Sequence, residues 1–487
     1  MKIESDSLPG VSRRNLLAGG FAALRATPEP AATIDSGSVE ERLVQYMSEA
    51  ATRAIPAEVV EKTKQQMLDT VASMISGAPL PPGSLGLKFA EAYQGPEVST
   101  VVGSAKRTGP IEAAMANALL AHSDETDDSH APSQSHPGCG VIPAALVAGE
   151  KFGISGTQLV RAVALGFDVG TRVAMTLGGE DYQTFAHRDT HCITNTFGAA
   201  AAAACAANLN AQQMRWVLDY SAQQTGGIAA WQRDTQHIEK SLVFGGFAAR
   251  DALTTALLVS EGGSGVEDIF SGPDNFFAAF KPDANPEGLI DKLGERYEVT
   301  RTSIKKWTVG SPIQAPLDAL QELIGKYHIK PAEVKKVVVR VGSGEAHIVD
   351  NRSMPDICLQ HMVAVMLQDG TVTFRSAHDE ARMKDPAILA IRARVQLVYD
   401  DGLQKLYPAR VAIVEIALNN GKVYTQRIDA VRGSPQNPMT TEEVEAKARD
   451  LIVPFLGNSR CEQLIAAIMG VEKFDNVQTL SPMLQKA

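Results

Sequence analysis

Between His122 and His136 the chain places three histidines (His122, His130, His136) and four acids (Asp124, Glu125, Asp127, Asp128) within fifteen residues. Side chains of these two kinds, brought to one cleft, exchange protons, because an imidazole titrates at about pH 6.5 and a nearby carboxylate orients it. His136 is the best acid or base of the set. Asp127 and Asp128 are neighbours, so on a helical extension they point about 100° apart. One can therefore face a site while the other caps a helix or holds a neighbour. Lys240 is the best fixed cation, or a second acid–base group if burial lowers its pKa. Glu125, Asp127 and Asp128 would orient His136 or Lys240, Ser129 could donate to a carboxylate, and His191, Lys306 and His361 would complete an anion-binding wall. The chemistry these groups suit is removal of a proton, water or carbon dioxide beside a carboxylate, where a base meets an acidic C–H and cations take up the developing charge.

The elements that must position these groups are legible on either side of them. Pro110–Leu120 reads as a helix with proline in its first turn and Val141–Phe152 as another, so the polar segment is a helix-to-helix connection. Glu40–Ile55 and Ala57–Ile75 space apolar residues three and four apart, with Pro56 between them, and similar runs recur at Gly156–Met175, Thr194–Ala207, Ala211–Gln224 and Leu242–Glu261. After about Tyr297 the pattern changes to Val337–Val341, Ala393–Val398 and Val411–Leu418, with Asn419-Asn420-Gly421 turning into Val423–Ile428 as a hairpin. The helix Cys358–Leu367 lies between these strands, and a helical pattern resumes beyond Pro438 with Thr441 as the expected cap. The expected fold is mainly α: a large discontinuous all-helical domain (38–296 and 438–487) interrupted by a smaller α+β lid domain (297–437), after a leader at 1–37.

Several of these residues, in order, resemble the MmgE/PrpD family, whose members include 2-methylcitrate dehydratase, cis-aconitate decarboxylase and iminodisuccinate epimerase. The matching positions of the loop are His122, Glu125, Asp127, Asp128, Ser129, His136, Pro137, Pro143 and Ala144. Thr190-His191 running into Phe197-Gly198 and an alanine-rich helix, Glu239–Gly245, Lys305-Lys306-Trp307, and Leu359-Gln360-His361 through Asp369-Gly370 follow in the family's order. The resemblance covers roughly residues 38 to 480 and implies the same split helical domain with an α+β lid, a homodimer, no cofactor, and a small di- or tricarboxylate substrate. Ser129 stands where the family usually has threonine, Gly310 where decarboxylase-like members have histidine, and His361 where many have tyrosine. Both lid substitutions weaken transfer of one particular activity. Glu125, rather than Asp124, preserves the family spacing to Asp127-Asp128.

Composition agrees with a large enzyme and excludes some alternatives. At 487 residues and 44% hydrophobic the chain is too long for one ordinary core. A formal net charge of −10 argues against nucleic-acid binding, and requires that cations for an anionic substrate be gathered locally. The five cysteines are odd in number and form no Cys-x-x-Cys pair, so neither a disulfide framework nor a structural zinc site is expected. No uninterrupted run of eighteen apolar residues occurs, so no membrane span is expected. Ser12-Arg13-Arg14-Asn15-Leu16-Leu17 and the apolar run to Leu24 resemble a twin-arginine export signal, implying a periplasmic protein, or a cytoplasmic one if the leader is not functional.

The leading expectation is a cofactor-free lyase, most simply a dehydratase of a hydroxy di- or tricarboxylate, with epimerase, isomerase or decarboxylase action through the same proton transfer as its neighbour. A metal-dependent hydrolase built on His122, Asp127, Asp128, His130 and His136 is a second class; no metal site is expected, because no recognised ligand spacing supports it. A carboxylate-binding protein without turnover is a third. His237, His122 and His130 are expected to be loop or helix-end residues, and Cys139 a structural thiol.

Overall fold

The computed structural model describes residues 38–486, so the leader reading lies outside the described residues. From Val39 onward the described chain is predominantly helical, with one small mixed sheet and a two-stranded ribbon, Ser99–Thr100 with Arg107–Thr108. The sheet runs in the order Val395–Asp400, Val334–Gly342, Ala412–Leu418, Val423–Ile428. Its first pair is parallel and the other two antiparallel. Gly421, at φ +86°, makes the hairpin turn that the Asn-Asn-Gly sequence implies. In Ala412–Leu418 alternate residues are buried, the period-two signature of a strand with one face on a core.

Buried apolar side chains segregate into two clusters. One gathers residues from 43–304 and 439–484 together with Phe374; the other spans Trp307 to Ile428. The C-terminal helix Thr441–Met469 returns to pack on Ala57–Gly77, where Gln65 donates to Thr441 Oγ1 at 3.0 Å. The cap of this helix is Thr440, one residue before the expected one: its hydroxyl accepts from Glu443 N while Glu443 accepts from Thr440 N. Thr441 instead donates to Glu61 at 2.9 Å.

Within the first cluster, a helix crossing and a distorted core helix fix where His191 and Phe244 stand. Helices Gly156–Leu177 and Thr190–Ala206 cross so closely that a Cβ on Gly170 would lie 2.1 Å from the carbonyl of Thr194, and one on Gly166 2.7 Å from that of Gly198. This crossing fixes the start of the second helix, and His191 with it. The run Ile238–Ser260 is long and apolar enough to cross a membrane by length and composition, which the absence of an uninterrupted apolar run did not anticipate. Here it is a core helix, with Phe244, Ala248, Ala249, Ala252, Leu253, Ala256 and Val259 buried. Its first half contains a π-helical turn at Leu242–Gly246, a distortion often found at functional sites.

Candidate active site

The connection after helix Pro110–Ala121 is buried almost throughout, although it is built from charged residues. Buried charges persist only when paired, and the pairing here is specific. His122, which ends the helix, presents Nδ1 to Asp127 Oδ2 at 2.7 Å. Asp127 Oδ1 lies 3.3 Å from His136 Nδ1 and 3.6 Å from Lys305 Nζ. Glu125 pairs with Lys240 at short range, with Lys305 at 3.7 Å and with His237 Nε2 at 3.8 Å. Asp127 and Asp128 diverge, although the helix ends at Ala121 and does not extend through them: Asp128 accepts from Gly138 N at 3.0 and 3.2 Å at the start of helix Gly138–Phe152.

An aromatic floor carries the histidines. Phe244, set by the π-turn, stacks on His191 with centroids 3.7 Å apart, on His122 at 4.7 Å and on His136 at 5.7 Å. Lys240 Nζ stands 5.3 Å above the same ring and 5.5 Å above Trp231. Asn195 donates from one amide nitrogen to the carbonyls of His136 and Phe244, at 3.0 and 2.9 Å, tying the loop to the π-turn. Asp189, the side-chain cap of helix Thr190–Ala206, accepts from Cys192 N, from Trp231 Nε1 at 2.9 Å, and faces His191 Nδ1 at 2.9 Å.

Burial and neighbouring charge set the protonation states. Burial pushes His136 down to about 3, with Lys305 and His191 adding to it and Asp127 opposing, so the ring is a neutral imidazole at neutral pH. Burial and Lys240 push His237 down to about 3 as well, and burial lowers His191. Burial opposes ionisation of Asp127 and Glu125, but the facing imidazoles of His122 and His136 with Lys305 at Asp127, and Lys240 with Lys305 at Glu125, outweigh it and hold both carboxyls well below the usual carboxylate range. Asp128 goes the other way, pushed well up by burial and by the adjacent charges of Asp127 and Asp69. Burial raises the thiol of Cys139, which donates to His136 O at 3.1 Å, so it is no activated nucleophile.

His136, His191, Lys240, Glu125 and Asp127 therefore converge, and Asp128 stands directly behind them. The other three sequence candidates lie elsewhere. Lys306 Nζ donates to Gln321 at 2.5 Å and sits 4.6 Å over Trp307, while the preceding lysine, Lys305, turns inward and donates to Glu125 O at 2.8 Å. His361 is fully buried in helix Leu359–Asp369, with Arg392, Arg382 and Asp379 as its charged neighbours. Ser129 pairs through its backbone with Ser303 and lines a cleft of about 440 Å³ with Arg301 and Arg410, a cleft the histidine cluster does not reach. Of the five residues considered as metal ligands, His122, Asp127 and His136 bring ligand atoms within 4.8 Å of one another. Asp128 is turned to Gly138, and His130 is held by Ser133 and Glu298.

Sequence reasoning gave no site role to Lys305, His237, Asp189, Phe244, Trp231, Asp356 and His378. Of the structural and the solvent-exposed roles expected for His237, its burial fits the first, with its ring 5.0 Å from that of His122. Asp356 and His378 come from the stretch that forms the second cluster's shell; His378 Nε2 lies 2.9 Å from Asp124 Oδ2. Asp189 had a signal, an aspartate immediately before a helix. Lys305 and Lys306 had none that could separate them.

Comparison with known proteins places this arrangement. Residues 41–289 match the MmgE/PrpD N-terminal domain and residues 307–472 the MmgE/PrpD C-terminal domain. A cis-aconitate decarboxylase of Aspergillus terreus is 24% identical over 497 residues, covering 94% of this chain and 98% of that protein. The human cis-aconitate decarboxylase is 24% identical over 450 residues, covering 88% of this chain and 90% of its own length. With both domains matched in order along one chain, the protein belongs to the MmgE/PrpD family.

Proposed function

We propose that this protein is a lyase that moves a proton at the carbon beside a carboxylate of a di- or tricarboxylate, using its own side chains and no cofactor. The supporting observation is a neutral imidazole at His136 buried in one cluster with two lysines, Lys240 and Lys305, that share Glu125. A proton beside a carboxylate is weakly acidic, so its removal needs a base and nearby cations for the enediolate charge. His136 is the base. Lys240 and Lys305 take up the charge, and Lys240 protonates a leaving hydroxyl. Asp127 orients His136 through Nδ1, and an incoming carboxylate competes with Glu125 for Lys240. In this reading the α+β region closes over the cluster as a lid.

Dehydration of a hydroxy di- or tricarboxylate is the leading form. Decarboxylation is the second, favoured by the names of the relatives: breaking the bond to carbon dioxide leaves its electron pair on carbon as a delocalised carbanion, which the same lysines stabilise and Lys240 protonates. Incubating citrate, 2-methylcitrate, cis-aconitate, tartrate and iminodisuccinate in deuterium oxide and following proton NMR separates the outcomes. Loss of water gives dehydration, loss of carbon dioxide decarboxylation, and deuterium uptake alone epimerisation or isomerisation; no change in any compound sinks the proposal. Chelation tests the metal alternative. Lys305 already places a positive charge 3.6 Å from Asp127, which disfavours a cation between His122, Asp127 and His136, so activity is expected to survive exhaustive chelation.

A further inference from the structure

Three consecutive residues of the loop, 124 to 126, are each gripped by a cation from a different part of the chain. Lys305 Nζ donates to Glu125 O at 2.8 Å, and Lys447 Nζ, from the C-terminal helix, donates to Thr126 O at 2.9 Å. The third grip falls on Asp124. Its Oδ1 accepts from Thr126 N at 2.9 Å and its Oδ2 from Thr126 Oγ1 at 2.6 Å, closing a tight turn around Glu125. His378 Nε2 stands 2.9 Å from the same Oδ2.

The other ring nitrogen of His378 decides its charge. Nδ1 lies 2.8 Å from the carbonyl oxygen of Phe374, which can only accept, so Nδ1 carries a proton. Nε2 faces a carboxylate oxygen at 2.9 Å, where a bare lone pair would be repelled. One proton belongs between Nε2 and Oδ2, and because His378 and Thr126 hold Asp124 as a carboxylate against its burial, that proton resides on the ring. The ring is also well anchored: Phe374 N donates to Asp450 at 2.7 Å, and the Phe374 ring packs on His378 at 4.3 Å and joins the first apolar cluster. The acids facing His378 are Asp124, Asp356 and Asp450, of which Asp356 also feels the charge of Lys240 and Asp450 that of Lys447.

We propose that His378 is a positioning residue, an imidazolium at neutral pH that clamps Asp124 and so sets Glu125 and its lysine pairs for the reaction proposed above. The inference rests on that reading for its kinetic consequence, but not for the charge or the clamp. Burial works against the charge on His378, yet Asp124 and Asp356 outweigh it and carry the ring up to about 9. Burial of Asp356, reinforced by Glu125 and Asp124, raises that acid to about 7.

The test uses the full chain labelled with nitrogen-15 in histidine. At pH 7.5 one ring should show both nitrogens protonated, and this signal should vanish in His378→Gln. A neutral ring at this position overturns the charge assignment. In the same variant the signals of His122, His136 and His237, which sit on Asp127 and Glu125, should shift; unmoved signals overturn the clamp, whether or not any substrate is turned over. With an active substrate, His378→Gln should lower kcat about tenfold or more, the scale of a small misplacement of reacting groups, with less change in KM. Asp124→Asn added to His378→Gln should cost little further, since the two act as one unit. A lower melting temperature with unchanged kcat would mean a structural role only and overturn the proposal. If the wild type transforms none of the polycarboxylates, the proposed reaction falls while the two NMR readouts still decide His378.

Discussion

Asp127 and Asp128 are consecutive, equally buried, and electrostatically opposite. Asp127 looks to the front of the loop, onto His122, His136 and Lys305, and stays a carboxylate. Asp128 looks to the back, onto Gly138 N and toward Asp69, and is driven toward the neutral acid. Behind it Lys447 makes a 2.6 Å charge contact with Asp69, and burial lowers Lys62 to about 8. Burial alone raises every carboxyl, so the difference lies in the neighbours: Glu125 and Asp127 face Lys240, Lys305 and imidazole rings, while Asp128 faces two further acids, Asp127 and Asp69, with Lys62 nearby lowered by its own burial. A charged front suits proton transfer, and a nearly neutral back suits packing.

The largest effects should come from the front. His136→Ala and Lys240→Ala should each lower turnover by about 10² or more, the scale of a lost general acid or base, and Lys305→Ala should approach them; near-normal rates in the first two would remove these groups from the mechanism. The back should register in stability instead. Lys447→Met leaves Asp69 without its buried partner, so chemical denaturation should show a loss of about 3 kcal/mol, and a change below about 1 kcal/mol would mean that the Lys447–Asp69 contact adds no net stability.

A pH series sharpens the contrast. His136 and His237 are held at about 3 in the folded protein but titrate at about 6.5 when unfolded. Between these values the unfolded chain binds more protons, so stability should fall as pH drops from about 6.5 toward 3, with a slope near two protons from this pair. Replacing His237 with Gln should remove about one of them; an unchanged slope would place the proton uptake elsewhere. The smallest effects should be at Asp128→Asn, which mimics an acid that is already neutral, and at Lys306→Ala, whose ammonium is spent on Gln321 and Trp307. Both should retain activity within about threefold, as expected where no interaction confined to the transition state is lost. A large loss at Asp128→Asn would mean that the two faces of the loop are not distinct.

The sequence by itself determined the elements and the inventory. Period-3.6 and period-2 patterns located the helices flanking the loop and the strands of the sheet, since apolar periodicity follows directly from which face is buried. The clustering of His122 to His136 was equally local, since all of it lies in one short stretch of chain, whereas the divergence of Asp127 and Asp128 arose in a non-helical loop. What the tertiary structure decided is everything that depends on which way a side chain turns after the chain has folded back. Lys305 and Lys306 are indistinguishable in sequence, and only the packing of Trp307 and Gln314 around that segment sends one inward and the other onto Gln321. His378 and Asp356 carry no motif, and reach the loop from more than two hundred residues away. His361 and Ser129 satisfied a pattern of spacing but were drawn into the second core and a separate cleft. Charge state followed the same rule: Asp127 and Asp128 are one residue type in one dipeptide, and the cations brought up to one and withheld from the other come from segments far along the chain.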